Sequence, residues 1–419
     1  MLKGSKRLFS FVLALSLLVR LSAAVPKTAQ AVEIQAGLPI FVVGTTSATP
    51  TEVGFAGHVW QVIGYNGTGV ASSPGTLTLL AKNRDWGNAQ FNFSGTSGGF
   101  YVNNGYNNGP LHVAMQGIYP SIANAKEQAL VQARSIDAKG EGTTAGSNPI
   151  ETLDNQYFWP LSVAEANEVN STVREFGDRW WLRSPGTTGP PLNPALVGFS
   201  GNVFAGGNAA FGNNAVRPAF NLILPSVLFT SAASGISSKS TATMGSGLVG
   251  ATTPTGAVKM TVETTDTTFL SLTCTDTATR TVKAGDTVSI AYSGAHTAAN
   301  KYVSCVITNN SGTVLFYGKL ANAASGSASF IVPSAAQLPD GSYTIKLFNE
   351  ECNLDNYTDF ASAPVSIPMI VVNTEPQPPP SELPKTGDGF PMGMLVALMG
   401  AMLVGLGWMG YRMRKDKRA

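Results

Sequence analysis

The sequence predicts a multidomain protein in which a mixed α+β domain precedes an all-β sandwich, with a hydrophobic segment at each end. Three observations lead to this class. Residues 36–229 alternate strand-like segments with two helical patterns. Residues 257–373 keep a hydrophobic period of two between turn signals, as short antiparallel strands do. Apolar runs near both termini lie beside basic residues, which is typical of targeting and membrane segments.

The amino terminus has the three parts of a secretory signal peptide. Basic residues within the first seven positions precede an apolar run at 8–19, which is short for a membrane span. Small residues follow as far as Ala29 and Ala31, so signal peptidase is expected to cleave before Val32 after export through the Sec translocon. Residues 1–31 are therefore predicted to be removed.

The first domain is predicted to combine strands, Gly/Asn-rich loops and two helices. Residues 58–65 and 77–80 are predicted strands because they are rich in β-branched, aromatic and apolar side chains. One helix is predicted to begin near Ser121. The other is predicted to begin at Ser162, where Glu165 three positions later completes a capping box.

A change of composition separates the first domain from the second. Residues 230–256 are rich in Ser, Thr, Ala and Gly, which favours a flexible linker. Beyond them, residues 258–263 alternate apolar and polar side chains, and further strands of this kind follow, one of them after the turn at 339–341. In such a strand Lys259 is expected to be a solvated lysine.

Four residues of the first domain form a candidate ligand face: Trp180, Trp181, Arg183 and Arg217. An aromatic ring can pack on the C–H groups of a sugar, while arginine donates to hydroxyls or a carboxylate. Successive strand residues point to opposite faces, so at most one of the two tryptophans is expected to be exposed. The alternative is structural, with both arginines paired to carboxylates such as Glu165.

Composition excludes several classes of site. Charged residues are 12% of the chain and the net charge is +2, without the basic patch that nucleic acids require. We predict no catalytic residue, metal site or cofactor, since His58 and His112 fit no motif spacing. Cys274, Cys305 and Cys352 all fall in the second domain, where one disulfide or buried thiols are both compatible with the sequence.

The carboxyl-terminal end contains a motif, an apolar segment and a basic tail. In order there are a proline-rich stretch at 374–382, the motif Leu383, Pro384, Lys385, Thr386 and Gly387, an apolar segment at 389–411 and a basic tail at 412–419. The apolar segment is long enough to be a transmembrane helix. Its basic flank would hold that end in the cytoplasm.

This three-part ending resembles the sorting signal of LPxTG surface proteins, which are sortase substrates of Gram-positive bacteria. The resemblance implies that sortase cleaves between Thr386 and Gly387 and passes the acyl group to an amine of a peptidoglycan precursor. The secreted protein would then be covalently attached to the cell wall, after a transient stage as a single-pass membrane precursor.

Two further resemblances concern the body of the chain. Residues 180–186, with 157–165 before them and 216–220 after them, resemble the DUF6273 type of bacterial surface domain. That resemblance implies a mixed α+β fold akin to C-type lectins and carries no activity. Residues 338–345 resemble a late hairpin of bacterial immunoglobulin-like (Ig-like) domains, which implies a stalk that lifts the first domain off the wall.

We therefore expect a wall-anchored binding, adhesion or display protein that is not itself an enzyme. Its expected partners are sortase, the peptidoglycan precursor, the export machinery, and a glycan or host-protein ligand. One alternative is a wall-anchored glycan-active enzyme that uses two carboxylates. The other is a structural surface component without a ligand.

Overall fold

The computed structural model describes residues 31–91, 106–138, 151–185, 194–205, 212–224, 226–245, 247–264, 269, 271–373, 399–401, 403–404 and 408. Residues 1–30 of the predicted signal peptide, the proline-rich linker, the sorting motif and the basic tail lie outside these residues. The chain forms two compact units, Met1–Asn373 and Thr374–Ala419. The described residues of the second unit are helical. No helix within the described part of the chain has the length and apolar character needed to cross a membrane.

The first unit is built mainly from short strands. The strands that begin before residue 230 are β1 Val32–Ala36, β2 Glu52–Phe55, β3 His58–Tyr65, β4 Thr68–Gly69, β5 Thr76–Ala81, β6 Asn88–Gln90, β7 Val131–Gln132, β8 Arg134–Asp137, β9 Thr152–Gln156, β10 Trp180–Pro185, β11 Pro194–Val197, β12 Val203–Phe204, β13 Asn213–Ala215, β14 Ala219–Ile223 and β15 Val227–Ala232. The later strands are β16 Val249–Thr252, β17 Val258–Glu263, β18 Thr273–Cys274, β19 Arg280–Val282, β20 Thr287–Ser293, β21 Lys301–Asn309, β22 Val314–Ala321, β23 Ser325–Ile331, β24 Gly341–Glu351, β25 Asp359–Ala361 and β26 Val365–Val371.

Helices are few and short among the described residues. They are α1 Pro110–Ser121, α2 Ala125–Gln128, α3 Val163–Glu168 and α4 Ser171–Arg174, with a single 3-10 turn, η1, at Lys239–Thr241. The capping box predicted at Ser162 is confirmed: Glu165 N donates to Ser162 Oγ, and Ser162 N donates to the Glu165 carboxylate. This reciprocal pair satisfies two backbone donors at the start of α3.

Eight strands close into a barrel. The ring runs β1, β15, β17, β25, β24, β21, β22 and β16, and β16 pairs with β1 to complete it. Two neighbouring pairs are parallel, β17 with β25 and β16 with β1, and the others are antiparallel. Closure pairs both edges of every strand in the ring, which removes the unpaired edges of an open sheet.

The sequence of β21 shows how one strand serves two cores. Val303, Cys305 and Ile307 pack outward with apolar residues of β20 and β23. Ser304 and Val306, on the opposite face, belong to the barrel interior. Burial on both faces explains why the middle of this strand, residues 303–307, has Ser304 as its one polar residue.

Most strands within residues 52–223 form a second body of structure beside the barrel. Strands β2, β3, β5, β14 and β7 continue the sheet from β17, and a separate sheet runs β12, β11, β10, β13 and β6. Their shared core includes Trp60, Trp159, Trp180 and Trp181, each 1% exposed or less. These large rings account for much of the apolar surface that this part of the chain buries.

The predicted fold class is wrong. The structure is mostly β, with 44% strand against 12% helix, rather than a mixed α+β domain akin to C-type lectins followed by an Ig-like sandwich and a transmembrane helix. The helix predicted near Ser121 shows one reason, because α1 ends there. Residues 131–132, which fall within the predicted helix, instead form β7 and pair with β14. Tertiary pairing outweighs the local helical pattern.

The second reason concerns the predicted sandwich. Its strands do pack against the sheet of β18, β20 and β23, but several also close the barrel with β1, β15 and β16. Residues 230–256 contribute the end of β15, all of η1 and β16 to this structure. Lys259 is fully buried rather than solvated, because both faces of β17 are covered.

Candidate ligand-binding site

The predicted ligand face lies in the protein interior. Trp180, Trp181, Arg183 and Arg217 are each 0% exposed. The two indoles do point to opposite faces of β10, donating to Arg174 O at 3.0 Å and to Ala89 O at 2.8 Å. Both faces of that strand are covered, so these four side chains present no surface to a ligand.

Arg183 has the structural role that the sequence offered as the alternative. Its guanidinium forms an ion pair with Glu165 and donates to Pro160 O at 3.1 Å and Asp137 O at 2.9 Å. Arg134 also contacts Glu165, at 3.2 Å. Burial alone would raise the pKa of Glu165, but the positive charges of Arg183 and Arg134 hold it below its usual value. The pair therefore remains charged and joins α3 to β10.

Arg217 is held differently. It donates to three carbonyl oxygens, of Ala81, Arg174 and Val173, and to Gln61 Oε1, at 2.8 to 3.1 Å. Its guanidinium also stacks on Trp180, 4.9 Å from the ring centroid. Burial lowers its pKa to about 9, which still leaves the group charged at neutral pH.

A cavity of about 200 Å³ opens at a different place, where the β2–β3 hairpin meets the end of α1 and the loop before β25. We call it the aromatic pocket. It is lined by Ala56, His58, Trp60, Trp86, Ile118, Ser121, Ile122, Ala123, Phe158 and Tyr357. Trp60 and Phe158 are almost fully buried and make its floor, whereas Trp86 and Tyr357 are half-buried and make its walls.

The rings of the pocket support one another. Trp60 and Trp86 lie 4.8 Å apart between centroids, and Trp60 packs edge-on against Phe220 at 4.7 Å. Trp60 Nε1 donates to Phe55 O at 2.9 Å, which fixes the indole. A packed floor of this kind presents an apolar surface that does not have to be ordered when a ligand binds.

One polar pair borders the pocket. His58 Nδ1 lies 2.7 Å from Asp85 Oδ2, and the His58 ring lies 4.7 Å from the Trp86 ring. A carboxylate at Nδ1 favours the tautomer with the proton there, which leaves Nε2 as an acceptor when the ring is neutral. The pocket thus combines an apolar floor with a polar edge whose orientation is fixed.

Glu127 positions two walls of the pocket. Its Oε1 accepts from Ala56 N at 3.1 Å and from Thr358 N at 2.6 Å, so it joins the β2–β3 turn to the loop that carries Tyr357. Gly57 N also donates to the carbonyl of that loop at Asn356. A Cβ at Gly57 would lie 2.8 Å from the Tyr357 hydroxyl, which explains the glycine at this tight approach.

Glu127→Gln is expected to gain stability relative to the wild type as pH rises. Burial raises the pKa of Glu127, although its two backbone hydrogen bonds lower it in part. The unfolded chain therefore releases this proton at lower pH than the folded protein, so wild-type stability falls as pH rises above the value for free glutamate. Urea denaturation of both proteins at acidic and neutral pH measures this difference.

The control for this experiment is Glu168→Gln, which changes an exposed carboxylate on α3. A pH trend of the same size in this exposed variant would show that the effect does not come from the burial of Glu127. A Glu127→Gln difference that stays constant would mean that Glu127 titrates alike in the folded and unfolded chain.

The three cysteines are free thiols. Cys305 and Cys352 are buried, and burial raises the pKa of Cys352 to about 11 and that of Cys305 further. Of the two arrangements that the sequence left open, the structure has the buried thiols. Neither buried thiol has the ionised form that thiol chemistry requires at neutral pH.

Sequence reasoning named His58 and Ser121 without linking them, and it missed the pocket itself. Tyr357 lies far along the chain from Ala56, and no local sequence pattern indicates that the two residues are in contact with the same pocket. The local signal in the sequence is the Ala56-Gly57 pair, because glycine favours a turn. In the structure Ala56 has a φ of 52° and Gly57 a φ of 82°. A non-glycine residue held in that region marks a constrained site.

No family model matches the chain, and a search of curated proteins returns no match.

Proposed function

We propose that the chain is a cell-wall-anchored binding protein, attached by sortase through Leu383–Gly387, with its ligand site in the aromatic pocket. The observation that carries the binding role is the pocket itself, an aromatic cavity of about 200 Å³ with one charged edge. The anchoring role rests on the order of motif, apolar segment and basic tail in the sequence.

The chemistry of the pocket favours a sugar unit as the ligand. The partly exposed face of Trp86 can pack on the C–H face of a pyranose ring. His58 Nε2 and the second oxygen of Asp85 can accept hydrogen bonds from its hydroxyls. The cavity is small compared with the sites of drug-sized ligands, so we infer that it holds one sugar residue of a longer glycan.

Anchoring is tested in a Gram-positive host that carries sortase. The wild-type chain should leave the cell envelope only after the wall is digested, whereas Thr386→Ala should be extracted by detergent or appear in the medium. The substitution removes the threonine side chain next to the carbonyl that sortase is expected to attack. Lys385→Ala is the matched control, since it changes the variable position of the motif and should stay on the wall. Equal wall attachment of Thr386→Ala would refute this route.

Binding is tested with cells that display the full chain, applied to a glycan array. Trp86→Ala should reduce retention by about tenfold or more, because aromatic anchors commonly contribute about 2 kcal/mol. Phe199→Ala is the control: this ring is 58% exposed but does not line the pocket. Equal loss in both variants, or no glycan retained by the wild type, would contradict sugar binding at this pocket.

Hydrolysis is a second candidate function, and a specific arrangement favours considering it. Ser121 and His58 line the same pocket, and Asp85 contacts His58 from outside its lining; these are the residue types of a nucleophile, its base and an orienting carboxylate. In the structure Ser121 Oγ donates to Ile118 O at 2.6 Å, so attack would require this hydroxyl to turn. Release of product from a retained glycan, abolished by Ser121→Ala, would establish this function instead.

A further inference from the structure

The barrel encloses four charged side chains that no solvent reaches. Lys239, Lys259, Glu350 and Asp359 are each 0% exposed. Lys239 enters from η1, and the other three belong to β17, β24 and β25. Buried charges are costly even when paired, so two ammonium groups and two carboxylates in one dry interior require an explanation beyond packing.

Lys239 is the amine that touches both carboxylates. Its Nζ contacts Glu350 Oε1 and lies 2.7 Å from Asp359 Oδ2. Two rings flank the amine, Phe229 at 5.2 Å and Tyr317 at 5.8 Å from their centroids. We propose that Lys239 and Asp359 condense into an intramolecular amide that cross-links η1 to β25 across the barrel.

Contact geometry selects Lys239 over Lys259 as the nucleophile. Lys259 Nζ donates to Asn353 O at 2.9 Å, to Leu354 O at 3.3 Å and to Asp359 Oδ1 at 3.1 Å. These acceptors occupy its nitrogen, and the carboxylate among them is Asp359 itself, so none of these contacts supplies a separate base. Lys239 instead has a second carboxylate, Glu350, at its nitrogen, which is the position of a general base.

The surroundings of Asp359 suit an electrophile. Its Oδ1 accepts from Asn353 N at 2.6 Å and from Lys259 Nζ. When the nitrogen of Lys239 adds to Cγ, negative charge develops on Oδ1, and these two fixed donors stabilise it. Glu350 is better suited to be the base than to be attacked: burial alone would raise its pKa, but Lys239, Ser304 and Tyr317 hold that pKa below its usual value and keep the carboxylate ionised.

The reaction is a balanced condensation. The ammonium of Lys239 gives one proton to Asp359 Oδ2, which neutralises that carboxyl group, and the free amine attacks its Cγ to form a C–N bond. Glu350 takes the second proton from the nitrogen and passes it to Oδ2, and the C–Oδ2 bond breaks with release of one water. The products are an amide, water and the unchanged Glu350 carboxylate, so no oxidant or cofactor is needed.

Position and burial both favour this step. Holding amine and carboxylate in contact replaces a bimolecular reaction with one of high effective concentration. The amide is neutral, so the reaction removes one positive and one negative charge from the interior, and Lys259 and Glu350 are left to balance each other. In water the ionised reactants would be solvated, and this advantage would be lost.

A metal ion is the other occupant that this cluster could suggest. Donor atoms of Glu350, Cys352 and Asp359 lie within 4.8 Å of one another. Two lysine nitrogens already contact these carboxylates, however, and a cation added there would meet their positive charge. The cluster is therefore better suited to amide formation than to binding a metal.

Mass spectrometry of the full chain tests the proposal. The wild-type protein should be one water lighter than its sequence requires, and its proteolytic digest should contain a branched peptide that joins the Lys239 and Asp359 segments. Lys239→Met and Glu350→Gln should each carry the full sequence mass and give no branched peptide. Lys301→Met is the control: its partly exposed nitrogen lies 3.9 Å from Glu351, and the cross-link should persist.

The wild-type mass decides the matter even if a variant fails to fold. A folded wild-type chain of full sequence mass, with no branched peptide, would overturn the proposal and make the cluster an ion-pair network only. A mass deficit that survives in Lys239→Met would overturn it equally, because another residue would then be the nucleophile.

Discussion

Replacing Arg183 with methionine is expected to lower the free energy of unfolding by about 3–5 kcal/mol, the usual cost of removing one partner from a buried ion pair. Arg183 is 0% exposed, and methionine fills much of its volume without its charge. The loss leaves Glu165 with Arg134 alone, and it leaves Pro160 O and Asp137 O without this donor. Urea denaturation followed by tryptophan fluorescence gives the difference.

Two further variants separate the ion pair from simple packing. Arg84→Met removes the exposed partner of Asp178 and should cost less than about 1 kcal/mol. Adding Glu165→Gln to Arg183→Met should recover part of the loss, because it removes the uncompensated carboxylate. A double variant whose loss equals the sum of the two single losses would show that no coupling exists between these side chains.

The defect of Arg183→Met should also depend on pH. The pKa of Glu165 is held below its usual value in the folded protein, so its pairing stabilises the fold above the pKa of free glutamate. That contribution is lost as pH falls through the folded pKa. The variant should therefore differ from the wild type most at neutral pH and least in acid.

Features encoded within a few neighbouring residues could be predicted from the sequence. The capping box at Ser162 needs only a hydroxyl, a carboxylate and the right spacing, and it is present as predicted. The strand predicted at 58–65 matches β3, because its apolar and aromatic content is a local property. Side chains that meet within one turn or one strand leave such signals.

Features that depend on distant pairings could not be predicted in the same way. The barrel closes where β16 pairs with β1 and where β25 pairs with β17. A period of two tells which side chains share a face, but not which strand lies alongside. The same limit hid the aromatic pocket, whose wall at Tyr357 comes from a loop remote in sequence from His58.

The buried arginines show a third limit. Tryptophan and arginine beside each other are typical of a ligand face and equally typical of a cation–π contact in a core. Arg217 illustrates this, since its guanidinium lies 4.9 Å from the Trp180 ring and 4.4 Å from the Phe176 ring. The two roles differ in whether both faces of β10 are covered by other elements. Local sequence does not predict this.

Arg217→Met is expected to destabilise the protein by about 3 kcal/mol or more, for a different reason from Arg183→Met. Arg217 pairs with no carboxylate, so the substitution strands no negative charge. It does remove the Arg217 hydrogen bonds to Ala81 O, Val173 O and Gln61 Oε1, whereas Arg174 O keeps the Trp180 indole as a donor, and each unsatisfied buried group costs about 1–3 kcal/mol.

Arg217→Lys discriminates this account from one based on charge. Lysine keeps the positive charge, but a single ammonium cannot reach the acceptors that the planar guanidinium spans. We therefore expect Arg217→Lys to lose at least half as much stability as Arg217→Met in urea denaturation. Full stability of the lysine variant would mean that the charge over Trp180, and not the set of hydrogen bonds, is what Arg217 contributes. Because these acceptors come from β5, α4 and β3, their loss should also loosen contacts between those elements, which hydrogen exchange of their amides would detect.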